Sequence, residues 1–255
     1  MPLHFLLDEA TDAQAGDEVA LTGAEAHHAA TVRRVRVGEE VTVGDGRGAW
    51  LTGECVSVTP REVVMRVDAR RDMPPPVPRV VLVQALAKGG RDELAVQAAT
   101  ELGVDAIVPW QAARSVSRWA EAKAEKGRAR WATIVREAAK QAHRAWVPEI
   151  EPLTTTKQLA GRAAASVMLV LEPSATDRLT EILGPPTGAD ASGEPWHGGA
   201  DVLLVVGPEG GIAPDELDAL REAGARAVRL GNTVLRTSTA GPAALAAVSA
   251  ALGRW

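Results

Sequence analysis

The sequence predicts two domains, an all-β domain of residues 1–72 and a parallel α/β domain of residues 79–255, joined by a linker at residues 73–78. Three observations predict them. Short β-favouring runs separated by Gly, Asp and Pro fill the first 72 positions. Four prolines within Met73–Pro78 give a stiff, extended spacer. From Arg79 onward, apolar runs of strand length alternate with helical patterns, which is how βαβ units and a parallel sheet read in sequence.

In the first domain, Val19–Leu21, Glu40–Val43, Ala49–Val58 and Glu62–Val67 read as short strands. The turn Gly44-Asp45-Gly46-Arg47-Gly48, with Ala49, fits the G-x-G-x-x-A form of a dinucleotide-binding loop. That loop needs a helix after it, whereas strand-like Trp50–Cys55 follows, so a hairpin turn is expected. A short helix is expected near Glu25–Thr31. It leads into Arg33, Arg34 and Arg36, which either hold phosphates or form a charged edge strand. Cys55 is the single cysteine, which excludes an intrachain disulfide and a cysteine-rich zinc site; a buried strand position is expected for it.

In the second domain, Arg79–Leu86 is expected to be a buried strand and Ala87–Asp92 a loop. Glu93–Leu102 reads as a helix with Leu94, Ala98 and Leu102 on one side, stopped by Gly103, and Asp105–Pro109 is the next strand. Arg130–His143 carries Trp131, Ile134, Val135 and Ala138 at the spacing of an amphipathic helix, so Trp131 is expected in the core. A helix near Lys157–Arg162 and the strand Ser166–Leu171 follow, ended by Glu172-Pro173. Residues 184–199, rich in Gly and Pro, read as a surface loop.

The closing stretch repeats one plan. The strands Val202–Val206 and Ala227–Leu230 each run into a glycine-bearing loop, Gly207–Gly211 and Gly231–Thr233, and each loop leads to a helix. The first helix, Pro214–Ala223, has Pro near its start, Asp215 and Glu216 in its first turn and Gly224 after its end. The second runs from capping residues at Thr237-Ser238-Thr239 to Leu252. Two such loops at the carboxyl ends of neighbouring strands make a ligand site in an open α/β sheet, and glycine there permits close backbone approach.

Composition narrows the function. Aromatic residues are scarce, seven Trp and one Phe with no Tyr, so Val, Leu and Ala must build the core. MPLHFLLDEA has no basic segment and too short an apolar run for a signal peptide, and no run reaches membrane-spanning length. A cytoplasmic protein with no membrane partner is expected. No metal is expected either, because His4, His27, His28, His143 and His197 lack carboxylate or cysteine partners at ligand spacing. A net charge of −5 argues against a uniformly basic nucleic-acid binder. Residues 112–147 nevertheless hold nine Lys and Arg against three Glu, either a phosphate-contacting patch or a solvated helix face. The last helix is almost free of charge and must be covered; a homodimer is the expected cover.

Four segments taken together are specific. LVQALAKGGRDELAVQAATELGVDAIVPWQAARSV (Leu82–Val116), REAAKQAHR (Arg136–Arg144), VGPEGG (Val206–Gly211) and RLGNTVLRTSTA (Arg229–Ala240) follow HHAATVRRVRVGE (His27–Glu39). In this order they closely resemble the ribosomal RNA small subunit methyltransferase E family, over nearly the whole chain. The resemblance implies a PUA-like β-barrel that holds RNA, followed by an α/β trefoil-knot methyltransferase domain of the SPOUT class. It implies S-adenosylmethionine as cofactor and N3 of one uridine in the 16S rRNA of the small ribosomal subunit as methyl acceptor. It also implies a homodimer with the cofactor site beside the interface.

Cofactor binding then falls to Leu171, Glu172, Gly207, Pro208, Gly210, Gly211, Leu230, Gly231, Val234 and Leu235. RNA binding falls to Arg33, Arg34, Arg36, Arg91, Arg114 and Arg144, with plain surface charge as the alternative for Arg91 and Arg114. Arg236 is expected either to stabilise negative charge developing on uracil O2 and O4 or to make a structural ion pair. Glu209 is expected to accept the N3 proton, to orient the cofactor, or to face a helix N-terminus. One departure matters: many relatives read R-T-E-T-A where this chain has Arg236-Thr237-Ser238-Thr239-Ala240, so a Glu base is not available there. Ala142 likewise stands where many members have Ser or Cys.

Overall fold

The computed structural model describes residues 2–120, 122–183 and 197–255; most of the expected surface loop, residues 184–196, lies outside them. The chain divides into two units, Met1–Pro75 with Ala139–Val147, and Pro76–Ala138 with Pro148–Trp255.

The first unit contains β1 (Leu3–Leu6), β2 (Glu18–Thr22), α1 (Gly23–His27), β3 (Glu40–Gly44), β4 (Ala49–Val58) and β5 (Glu62–Asp72). They form one five-stranded sheet in the order β1-β3-β4-β5-β2, antiparallel except for β1 beside β3. Among the described residues no backbone pairing joins the two edge strands, β1 and β2. Strand alternation sends Val41, Leu51, Cys55, Val63 and Met65 into one core with Phe5 and Leu21. The hairpin between β3 and β4 is as expected, with left-handed Gly46 (φ 69°) and Gly48 (φ 108°). Arg33–Val37 is not an edge strand. Val35 N–H bonds back to the Ala29 carbonyl and Arg34 is left-handed (φ 57°), so the chain turns where the sequence suggested extension.

Residues 139–147, placed by the sequence in the second domain, group with this first unit. Polar and aromatic contacts with distant residues hold them there. Lys140 Nζ donates to Glu25 Oε1 at 2.7 Å, with both side chains about nine-tenths buried. Trp146 lies across Gly48, where a Cβ would sit 2.8 Å from its ring, and its Nε1 donates to the Met73 carbonyl. His143 stacks on His4, which stacks in turn on Trp50 at 4.2 Å.

The second unit contains β6 (Val80–Ala85), α2 (Arg91–Glu101), β7 (Ala106–Gln111), α3 (Ala122–Gln141, its last turn in the first unit), β8 (Glu149–Ile150), β9 (Thr154–Thr155) and α4 (Thr156–Ala160). Next come β10 (Ser166–Leu171), α5 (Leu179–Leu183), β11 (Asp201–Val206), α6 (Pro214–Glu222), β12 (Arg226–Val228) and α7 (Thr237–Ala251). The sheet is parallel throughout, in the order β12-β10-β11-β6-β7-β8, with β9 also on β7. Its strands are continuous apolar runs because helices cover both faces. On one face α4 and α6 supply Leu159 and Leu220; on the other α2 and α7 pack together over β6.

Three expectations change here. Leu94 is exposed, and Ala95, Val96 and Ala99 make the buried face of α2. The strands Val202–Val206 and Ala227–Leu230 are not neighbours, because β10 lies between them. Much of the apolar surface of α7 is covered within the chain: Ala244, Leu245, Val248 and Ala251 are buried, and Gly241 lets the helix approach Leu82 and Val206. Trp131 is a core residue, as expected.

Burial, with the nearby positive charges of His143 and Lys140, pushes the His4 imidazole down from 6.5 to about 3. The unfolded chain therefore binds the proton first, and His4 costs stability as pH falls from 6.5 towards 3. Thermal melts from pH 7 to pH 4 should show a steeper loss of stability for the protein than for His4→Phe; equal slopes would remove His4 from the account.

Candidate active site

Three adjacent strands, β12, β10 and β11, end on the same side of the sheet, and their carboxyl ends enclose a cavity of about 340 Å³. The wall from β10 is Leu171-Glu172-Pro173, that from β11 is Val206–Glu209 with Gly211 and Ile212, and that from β12 is Val228–Gly231. The segment leading into α7 closes it through Val234, Leu235 and Arg236. All the residues expected at the cofactor line this cavity except Gly210. Gly210 faces Arg114 instead: its carbonyl accepts from Arg114 Nη1 at 3.2 Å, and an added Cβ would sit 3.3 Å from Arg114 Cβ.

A buried relay sets the floor. Gln84, fully buried at the end of β6, donates from Nε2 to Thr237 Oγ1 at 2.9 Å, and Thr237 donates to the Gly207 carbonyl at 2.9 Å. Thr237 is thus not the helix cap expected of it. The N-cap is Arg236, in extended conformation, and the Thr237 hydroxyl is spent across the sheet. Gly207 meets Ile212 closely enough that a Cβ would sit 2.7 Å from Cγ1, so the loop Gly207–Ile212 folds back tightly on itself. Glu216 fixes the start of α6: Oε2 accepts from Ala213 N, and Oε1 from Ala113 N and Thr156 Oγ1.

The charged residues divide by commitment. Glu209 accepts from Lys88 N at 3.1 Å and from Arg91 Nη1 at 3.4 Å through Oε1, while its Oε2 is buried without a partner. Arg91, expected at RNA, therefore sits in an ion pair on the cavity wall. Glu172 turns back to accept from Ser174 N and Oγ. Arg236 is exposed, and its guanidinium has no hydrogen-bond or ion-pair partner among the described residues, so the structural ion pair is not formed. Asp92, beside the loop that carries Lys88, has its carboxyl pushed up by burial, offset in part by hydrogen bonds from Ala87 N and Glu93 N. Arg33, Arg34 and Arg36 are exposed in the first unit; Arg144, in the same unit, is half-buried with a partner. Among the described residues no cluster of His, Cys, Asp and Glu could hold a metal, and no helix is long and apolar enough to cross a membrane. Sequence reasoning missed Arg229, which lines the cavity and has a buried, unpartnered Nε. It lies next to Leu230-Gly231, so its proximity to the loop was the available signal.

Residues 73–249 match the RNA methyltransferase domain model, and residues 21–67 the RNA methyltransferase PUA domain model. The chain is thus of the RNA methyltransferase class. A Mycobacterium bovis protein, ribosomal RNA small subunit methyltransferase E, is 44% identical over 98% of this chain and 92% of its own length. Its Bacillus subtilis namesake is 34% identical over 90% and 89%. Among solved structures, a Legionella pneumophila methyltransferase with bound S-adenosylmethionine superposes with a TM-score of 0.83 at 27% identity, covering 98% of each chain. The Neisseria gonorrhoeae ribosomal RNA small subunit methyltransferase E, also with S-adenosylmethionine, gives 0.81 at 28% identity, over 98% of this chain and 97% of that one. The chain belongs to the ribosomal RNA small subunit methyltransferase E family.

Thr237→Val keeps the shape and removes both relay bonds of the hydroxyl. It should destabilise the second unit by about 1–3 kcal/mol in urea unfolding, the usual cost of stranding buried polar groups. A change below about 0.5 kcal/mol would match a neutral surface substitution and show that the relay carries no load.

Proposed function

We propose that this chain methylates N3 of a uridine in 16S rRNA, with S-adenosylmethionine bound in the cavity between β10, β11 and β12. The observation that carries this reading is the free guanidinium of Arg236 at the wall of a cavity whose other charged side chains are largely committed. The cavity suits the cofactor. Gly207, Gly211 and Gly231 expose backbone, Leu171, Leu230 and Leu235 supply apolar walls, and Glu209 Oε2 and Arg229 Nε are buried polar atoms awaiting partners. When bound, the cofactor supplies an electrophilic methyl group on a sulfonium.

Uracil N3 carries a proton and becomes a nucleophile on losing it. Arg236 donates hydrogen bonds to the oxygen on which the resulting charge concentrates. Glu209 takes the proton on Oε2, since Ser238 offers no carboxylate and Glu172 is turned towards Ser174. Arg91 holds Glu209 in place, and Arg114 contacts RNA phosphates. On the PUA-like domain, Arg33, Arg34, Arg36 and Arg144 contact RNA phosphates. Family likeness further supports a SPOUT trefoil knot, a cytoplasmic location, and a homodimer formed on the half-covered alanine face of α7, Ala243, Ala246 and Ala247.

S-adenosylmethionine should raise the melting temperature, and Gly207→Ala should shrink that shift by forcing the loop away from Ile212. In single-turnover assays Arg236→Ala should lose about 10²–10³ in rate with cofactor affinity unchanged. Raising pH should partly restore Arg236→Ala, because more uridine then ionises unaided; Arg236→Lys should recover little. Mass mapping of 16S rRNA from a deletion strain should show loss of one N3-methyluridine. Loss of a 2′-O-methyl nucleoside instead would overturn the assignment, as would an Arg236→Ala cofactor affinity that falls as far as the rate.

A further inference from the structure

The cavity contains one cation that the proposed chemistry leaves unused. Arg229 lies at the end of β12 with its backbone fixed on both sides. Its N–H donates to the Asp177 carbonyl, and its carbonyl accepts from Leu179 N, both at 2.9 Å. Arg229 is one of the residues that line the cavity, and its Nε is buried with no partner among the described residues. The guanidinium makes no ion pair or side-chain hydrogen bond among the described residues. Neither cavity carboxylate reaches it, since Glu209 is held by Arg91 and Lys88 N and Glu172 by Ser174.

A charged donor stripped of water and left unpaired is unfavourable, so a ligand that brings an acceptor gains more than an ordinary hydrogen bond. S-adenosylmethionine is uncharged over its adenosine portion and cationic at its sulfur and ammonium. It is anionic only at its carboxylate. We infer that Arg229 binds the α-carboxylate of the cofactor and so fixes the direction of its methionine arm. Arg229 is then a binding and positioning residue for the arm that presents the methyl group. This assignment rests on the reading of the cavity as the cofactor site.

Calorimetry with two ligands tests it. S-adenosylhomocysteine has the carboxylate, and 5′-methylthioadenosine lacks the amino-acid arm. Arg229→Gln should weaken S-adenosylhomocysteine about 10–100-fold and leave 5′-methylthioadenosine within about twofold, the range for losing a charge-assisted hydrogen bond. Arg229→Lys should fall between the two, since it keeps the charge without the fork. Retained 5′-methylthioadenosine binding also reports that each variant is folded. Parallel losses for both ligands would make Arg229 a wall residue or an adenosine contact and overturn the proposal. So would unchanged S-adenosylhomocysteine affinity alongside weakened RNA binding, which would assign Arg229 to a phosphate. If the cavity reading itself is wrong, Leu235→Arg will leave wild-type affinity for both ligands intact, a result that ends the Arg229 assignment by a different route.

Discussion

The hydrogen bonds from Gln84 through Thr237 to Gly207 tie together three segments that are far apart in the chain. They join the end of β6, the loop after β11 and the first residue of α7. Gln84 and Thr237 are buried and the bond to Gly207 is part-buried, so breaking the arrangement would strand polar groups that have little access to water. With Thr237 pinned, Arg236 is presented one residue earlier at the cavity wall. With the Gly207 carbonyl pinned, the loop that follows must turn tightly over Ile212. The cavity inherits its shape from this relay.

Helix packing supports the same geometry from below. Gly241 allows α7 to lie against Leu82 and Val206, where any Cβ would collide with the Leu82 side chain. The helix therefore approaches the sheet at the point where β6 and β11 end, and its own first turn falls beside the cavity. A bulkier residue at 241 would lift α7 and with it Thr237, so packing and the polar relay are two parts of one constraint.

Local pattern made the elements legible, and chain topology limited the rest. The strands around Val202–Val206 and Ser166–Leu171 and the helix at Pro214 stood out because apolar runs, proline and glycine act over a few residues. The insertion of β10 between β11 and β12 is a long-range fact that no window contains, so the two glycine loops were read as neighbours. The turn at Arg34 depended on one backbone bond from Val35 to Ala29, and the grouping of residues 139–147 on a buried Lys140–Glu25 pair spanning over a hundred positions. At the cavity, the glycine loops pointed to the lining residues, but not to which charges were already spent. That Arg91 is bound to Glu209 while the side chains of Arg229 and Arg236 have no partner among the described residues is visible only in three dimensions.

That division of charge bears on the missing carboxylate at position 238. A reaction that needs N3 to lose its proton can either supply a strong base or stabilise the anion. Ser238 removes the first option at the start of α7, and the chain is left with one cavity carboxylate oxygen, Glu209 Oε2, that is buried and unshared. Its other oxygen is already engaged by Arg91 and the Lys88 amide, so Oε2 is all that this carboxylate offers as a proton acceptor. In the proposed reaction the larger contribution therefore falls on anion stabilisation. That requires a cation with no competing partner, close to the cavity and fixed in direction. Arg236 meets the first two conditions, since it lines the cavity and its side chain has no partner among the described residues, and the backbone on its carboxyl side is held through Thr237. A carboxylate at 238 would stand two residues from that guanidinium and compete with uracil for it, so its absence and the freedom of Arg236 are consistent with a site that works by stabilising charge more than by drawing off the proton.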